Sequence, residues 1–297
     1  MSRLQADVLL VLVTAVWGWT FPAVKDATSH FPTFPFLALR FTLGALALLP
    51  FAWRSLRRLP ALGWLAGLAI GSFLFLGYAF QTFGLAHTTA SKAGFITGLS
   101  VVIVPVASAF LNRRSPGRAV TAGVILATIG LALLSLGGAM LPSPGDVLVF
   151  LCAVSFAAHI LAVGRWAPSY DATAIATLQI AAAAAWSYLA SMVWQPIPPL
   201  ASTPSGVWVA VAATGLLATA AAYLVQTAVQ RFTTATHTAL IFSLEPGFAA
   251  LFGYLLAGEV LTPRSWVGAA LILAGILVSE LPGALTPSRG AGAPGEG

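Results

Sequence analysis

Ten stretches of this chain stay apolar for about 18 residues or more, the length a helix needs to cross a hydrocarbon core of about 30 Å. They fall near 7–24, 33–52, 62–83, 91–111, 119–138, 145–163, 172–194, 206–228, 237–257 and 264–281. In lipid every backbone N–H and C=O must be bonded inside the segment that carries it, so runs of this length predict helices. The expected fold class is an all-α integral membrane protein with ten transmembrane helices. Between the runs lie short loops such as RSLRRLP at 54–60 and NRRSPGR at 112–118, and no separate soluble domain fits anywhere.

Composition agrees with that reading. Hydrophobic residues make up 59% and charged residues only 7% of the 297 positions, where soluble domains carry roughly a quarter charged. The net charge of +6 does not point to nucleic acid, because the arginines sit in short loops and form no basic run interleaved with aromatics in a polar context. With the N-terminus in the cytoplasm, Arg3, Arg54, Arg57, Arg58, Arg113, Arg114, Arg118, Arg165, Arg231 and Arg289 all fall inside, leaving Lys25 and Arg264 in outside loops. That bias predicts that both termini are cytoplasmic. The first apolar run follows a basic residue as a signal peptide would, but bulky Trp17 and Trp19 occupy the place of the small residues of a cleavage site, so it reads as a retained first helix. Cys152 is the one cysteine; a disulfide framework and a thiolate metal cluster are not expected, and no GxxxxGK[ST] sequence offers a nucleotide site. No cofactor is expected.

An internal repeat organises the ten runs. A shift of 145 lays YAFQTFGLAHTTASKAGFITGLS (78–100) over YLVQTAVQRFTTATHTALIFSLE (223–245), matching Tyr78, Gln81, Thr82, Thr88 and Thr89 with Tyr223, Gln226, Thr227, Thr233 and Thr234. The same shift pairs Gly123 with Gly268 and Gly130 with Gly275, and a shift of 139 pairs Asp7 with Asp146 and, more loosely, Arg40 with Gln179. The units run over 5–138 and 144–281, with a Gly- and Pro-rich tail at 282–297 expected to be disordered in the cytoplasm. Five is odd, so the second unit must thread the membrane in the opposite sense to the first. Inverted repeats of this kind build many secondary transporters, with the solute near the midplane.

The segments WGWTFPAVK, LALRFTLGALALL, TTASKAGFITGLSVVIVPVASAF and, above all, EPGFAALFGYLLAGE at 245–259 resemble the EamA family of the drug/metabolite transporter superfamily. The resemblance spans about residues 5 to 281. It implies two inverted five-helix halves, a bacterial inner-membrane location, and export or exchange of small metabolites, amino acids among them. Where the family often has acidic residues at the ends of both the fourth and ninth helices, this chain sets Arg114 opposite Glu259, which makes the halves electrically unequal.

Glu245 is the first candidate site residue. An ionised carboxylate in hydrocarbon costs several kcal/mol unless it finds a partner, water or a proton. It reads either as a proton-binding or substrate-amine-binding group or as half of a structural ion pair with Arg40. Ser100 is its repeat partner and cannot hold charge. Tyr78 with Gln81 and Tyr223 with Gln226 each share a helical face and could line a cavity or tie helices together. His159 could take part in proton coupling or be a hydrogen-bonded core residue. Trp17, aligned by the 139 shift with Phe156, could stack on a flat solute or simply pack. Arg40 and Lys92 read as structural and interfacial. Gly63, Gly67 and Gly71 form a small-residue stripe suited to close helix contact.

The reading is a secondary transporter, expected to export small organic metabolites such as amino acids, or drugs, by alternating access with proton coupling at Glu245. An uncoupled facilitator or channel and a membrane-embedded enzyme are the alternatives. Against the enzyme, HExxH, GxSxG and paired membrane aspartates are missing from the sequence. Expected partners are a small-molecule substrate, protons and the lipid bilayer, with the chain a monomer or homodimer and no nucleic acid bound.

Overall fold

The computed structural model describes residues 3–85, 87, 90–113, 115–135, 143–257 and 262–279. Thr88, Thr89, Arg114, Glu259, Arg289 and the 282–297 tail lie outside the described residues, as do the side chains of Lys25 and Lys92. Among the described residues all regular structure is helical. In chain order the helices are α1 (Arg3–His30), α2 (Thr33–Arg57), α3 (Ala61–Leu85), α4 (Ala90–Gly98), α5 (Ser100–Asn112), α6 (Arg118–Ser135), α7 (Pro144–Trp166), α8 (Ala172–Trp194), α9 (Ser205–Gly215), α10 (Ala222–Val229), α11 (Ala235–Phe242), α12 (Glu245–Ala257) and α13 (Pro263–Ser279).

Six helical segments among the described residues are long and apolar enough to cross a membrane, and Leu4–Thr20, Arg118–Leu133 and Pro263–Ser279 are shorter apolar helices. The surface agrees with lipid contact. Phe51, Phe110, Leu62 and Met192 are each at least 70% exposed, an apolar exterior that a soluble monomer would not tolerate.

Three of the expected runs are not uniform α-helices. The run at 91–111 divides into α4 and α5 at Leu99, and the run at 237–257 divides into α11 and α12 at Ser243 and Leu244. Between α9 and α10 the helix widens into a π-helical turn, Leu216–Ala221. The ends that meet loops are capped by local chemistry. Ser143 and Asp146 form a reciprocal capping box at the start of α7, with Ser143 N donating to Asp146 Oδ2 at 2.8 Å. Asp171 caps α8, accepting from Ala174 N at 3.0 Å. Although burial pushes its carboxyl up, hydrogen bonds from Thr173, Ala174 and Ser55 win and hold it below the usual carboxylate range. Asp7 pairs instead across helices, its Oδ1 lying 3.0 Å from His237 Nε2 of α11.

The core is a cluster around Phe31, Phe36, Phe41, Leu74, Ile180 and Tyr223, where α2 lies against α8 and α9 and α3 lies against α7 and α8. In the small-residue stripe, Gly67 and Gly71 face Leu178 and Ala182 of α8, whereas Gly63 faces Leu59 of its own chain segment.

Helices α6 and α13 pack along one another through glycine. A Cβ on Gly123 would stand 2.5 Å from Gly275 O, and one on Gly130 would stand 2.5 Å from Gly268 O. The 145 shift sends Gly123 to Gly268 and Gly275 back to Gly130. It therefore turns the first contact into the second, as a two-fold relation between the repeats requires. The arrangement fits a two-repeat fold, and it depends on backbones approaching more closely than any side chain permits. Gly130→Leu is therefore expected to abolish a monodisperse folded species in detergent, measured by size-exclusion chromatography and thermal unfolding. Gly206→Ala, with nothing within 4 Å of the added Cβ, should stay within about 0.5 kcal/mol of the native protein.

Candidate functional site

The face of α2 that carries Phe36, Leu37, Phe41 and Gly44 is buried, and it brings Arg40 into the bundle at 3% exposure. Arg40 Nε donates to Thr219 Oγ1 at 2.8 Å, and Nη2 donates to Tyr78 OH at 3.1 Å and to Ala218 O at 3.4 Å. Its guanidinium stands 4.8 Å from the Tyr78 ring centroid. The π turn makes this possible. Widening the helix frees carbonyls from the regular ladder, and Ala218 O is used twice, by Arg40 and by Trp17 Nε1 at 2.9 Å. The ion pair with Glu245 that stood as the alternative to a binding role is not formed: among the described residues no carboxylate lies within 4.0 Å of Arg40.

Tyr78 OH and Tyr223 OH are 3.0 Å apart. These two residues are repeat counterparts, and a residue that touches its own counterpart lies near the axis relating the repeats. The two tyrosine faces meet in direct contact. Their aromatic neighbours obey the same relation. Trp17 lies against Tyr223 with centroids 5.5 Å apart, and Phe156, its partner by the 139 shift, meets Tyr78 edge-on at 5.4 Å. Phe242 closes on Trp17 at 4.9 Å. The glutamines that share these faces are placed differently from each other. Gln81 is half-buried with no side-chain hydrogen bond among the described residues, while Gln226 is 1% exposed and donates to Gln230 Oε1 at 3.3 Å. Gln226 is thus buried and adds no open lining.

His159 is 2% exposed and sits edge-on to Tyr223 at 5.6 Å. Its Nε2 lies 2.7 Å from Gln179 Oε1, and Gln179 Nε2 donates to Thr227 Oγ1 at 2.8 Å. Thr227 in turn donates to Tyr223 O at 2.6 Å. With the amide nitrogen committed to Thr227, the imidazole Nε2 is assigned as the donor to Gln179. Sequence reasoning noticed Gln179 only as the loose repeat partner of Arg40. That was the available signal, since a glutamine and an arginine at equivalent positions of two membrane helices each need a buried acceptor.

Glu245 does not sit inside one continuous helix. It is the first residue of α12, just after the turn in which Ser243 N and Leu244 N reach back to Leu240 O at 3.2 Å and Ile241 O at 3.0 Å. Pro246 explains the break. Without an N–H it cannot continue the ladder of α11, yet it is well suited to the first turn of a new helix. The carboxylate thereby gains the positive end of the α12 dipole. It is half-buried, and among the described residues it has no hydrogen bond and no ion pair, although it lies within the field of Arg40. The 145 shift carries this break onto the other one: Ser100 is the first residue of α5, directly after Leu99, and is also half-buried. The side chain of Phe21, one turn from Trp17, lies outside the described residues.

Gln179→Leu removes the acceptor of His159 Nε2 and the donor to Thr227 Oγ1, at about 1–3 kcal/mol per buried group left unsatisfied. A marked fall in the thermal unfolding temperature in detergent is expected. Adding Thr227→Val to Gln179→Leu should cost less than the sum of the single changes, because both act on one network.

A model of the EamA-like transporter family matches this chain twice, over residues 4–136 and 143–281. An uncharacterized transporter of Archaeoglobus fulgidus is 34% identical over 284 residues, covering 94% of this chain and 87% of that protein. A Salmonella typhimurium protein named "Probable amino-acid metabolite efflux pump" is 31% identical over 161 residues, covering 53% of this chain and 52% of its own. A crystal structure with 23% identity shares the fold, with a TM-score of 0.79 over 94% of this chain and 98% of its own.

Proposed function

Since the chain belongs to the EamA-like transporter family of the drug/metabolite transporter superfamily, we propose that it exports small organic metabolites, amino acids among them, by alternating access of two inverted five-helix repeats, 5–138 and 144–281. In this reading ten helices cross the inner membrane, both termini are cytoplasmic, and the repeats rock about the contact between Tyr78 and Tyr223. The solute site is formed by Trp17, Tyr78, Ser100, Tyr223 and Glu245, with Gln81 at its edge and with His159 and Gln226 behind Tyr223.

One observation carries the proposal. Glu245 is a half-buried carboxylate at a helix break in an apolar segment, with no hydrogen bond or ion pair among the described residues. A structural acid in hydrocarbon would be paired. An acid that must bind and release something is left open on one side, and broken helices whose N-termini face a central site are the recurrent device of secondary transporters. Proton binding at Glu245 would then couple solute exit to proton entry. The aromatic rings supply an apolar wall for the rest of the solute.

The test is flux in proteoliposomes with a panel of radiolabelled amino acids, small metabolites and cationic drugs, under an imposed pH gradient. Saturable flux that the gradient accelerates is expected in the native protein. In Glu245→Gln the accelerated component should fall about tenfold or more, a factor worth ~1.4 kcal/mol. Equal gradient response in the variant would make the carboxylate structural. Saturable native flux indifferent to the gradient would instead identify an uncoupled facilitator.

A further inference from the structure

We propose that Arg40 receives the carboxylate of the transported solute and so makes the site selective for zwitterions, with Glu245 taking the ammonium group; this rests on the transport reading above. The argument begins with an imbalance of charge. Arg40 is 3% exposed within a membrane-spanning helix, where an isolated cation is costly. Buried arginines are normally matched by a carboxylate. Here every acceptor among the described residues is neutral: the hydroxyls of Thr219 and Tyr78 and the carbonyl of Ala218. Those bonds employ Nε and Nη2. Among the described residues Nη1 has no acceptor, so the fork that suits a carboxylate is only partly used.

The second part of the argument is the placement of the opposite charge. Glu245 lies within the field of Arg40 and does not pair with it. Both charges act on Tyr223, which stands in the field of each. Two opposite charges that share a low-dielectric site would collapse into an ion pair if nothing belonged between them. Here they are held apart, Arg40 by its bonds to α3 and the π turn, Glu245 by the start of α12. A molecule bearing a carboxylate and an ammonium at short spacing completes both ends at once and leaves the site neutral. The rings of Trp17, Tyr78 and Phe156, each half-buried in the central cluster, offer apolar surface for its side chain. The hydroxyl of Tyr78 is the natural ligand to exchange, since it already stands at the guanidinium and also has Tyr223 as a partner.

The alternative role for Arg40 is a staple that pins the π turn to α2. The two roles separate by solute chemistry. Competition against the best-transported amino acid in proteoliposomes would use three congeners with one side chain: phenylalanine, phenylalaninamide and 3-phenylpropionate. In the native protein phenylalanine should compete about tenfold or more better than either congener, since a site built to bond a group rejects analogues that lack it. Arg40→Gln should compete equally with phenylalanine and its amide, while Arg40→Lys keeps part of the preference. Glu245→Gln should lose the preference over 3-phenylpropionate alone. A readout that needs no variant is the unfolding temperature of the native protein, which phenylalanine should raise and the other two congeners should not. Equal competition by all three in the native protein, or an unchanged preference in Arg40→Gln, would overturn the proposal and leave Arg40 a staple. Saturable flux of cationic drugs with no amino acid recognised would also overturn it, while sparing the transport reading; no saturable flux of any panel member would sink that reading itself.

Discussion

Backbone hydrogen bonding in a medium without water is the constraint on which this structure depends. A helix satisfies it automatically, so each departure from the regular ladder must be answered by something nearby. Among the described residues there are three such departures within the apolar runs: the breaks at Leu99 and at Ser243 and Leu244, and the π turn at Leu216–Ala221. The polar groups of the site gather at these places. Ala218 O, released by the π turn, is taken by Trp17 and Arg40. Glu245 and Ser100 open the helices that restart after the breaks. Irregular backbone and buried polarity occur together here because each provides what the other lacks.

Around that region the repeat relation is obeyed in packing and departed from in charge. Gly123 against Gly275 and Gly130 against Gly268 form one contact made twice, and the tyrosine pair joins one residue to its own repeat counterpart. Trp17 on Tyr223 mirrors Phe156 on Tyr78. The charged positions break the pattern. Arg40 corresponds to Gln179, and Glu245 corresponds to Ser100. In the proposed mechanism, symmetric packing would let two alternative arrangements have similar energy, whereas unequal charge would let a solute or a proton favour one of them.

Much of this was legible in the chain. Apolar runs announced the helical membrane class because hydrocarbon thickness sets a minimum length. The 145-residue repeat announced that Tyr78 and Tyr223 are counterparts. Other features were not readable from one strand of text. A π turn has no composition of its own, since Leu216–Ala221 is as apolar as its flanks. Gln179 carries meaning only once His159 and Thr227 are beside it. That Arg40 bonds neutral groups instead of an acid was open in the sequence, because pairing depends on distances across helices that sequence spacing does not contain. Gln226 shares a face with Tyr223 but turns into a buried contact with Gln230, a distinction that helical periodicity cannot draw.

The central claim is that Glu245 is an open, titrating carboxylate in contact with solute and not half of a permanent ion pair. Infrared difference spectroscopy of the purified protein in lipid tests it directly, by comparing native protein with Glu245→Gln across pH, with and without a transported amino acid. The account predicts a carboxyl stretching band that changes with pH, shifts when the solute binds, and is missing in Glu245→Gln. A spectrum in which Glu245 contributes only an ionised band, unchanged by pH and by solute, would contradict it.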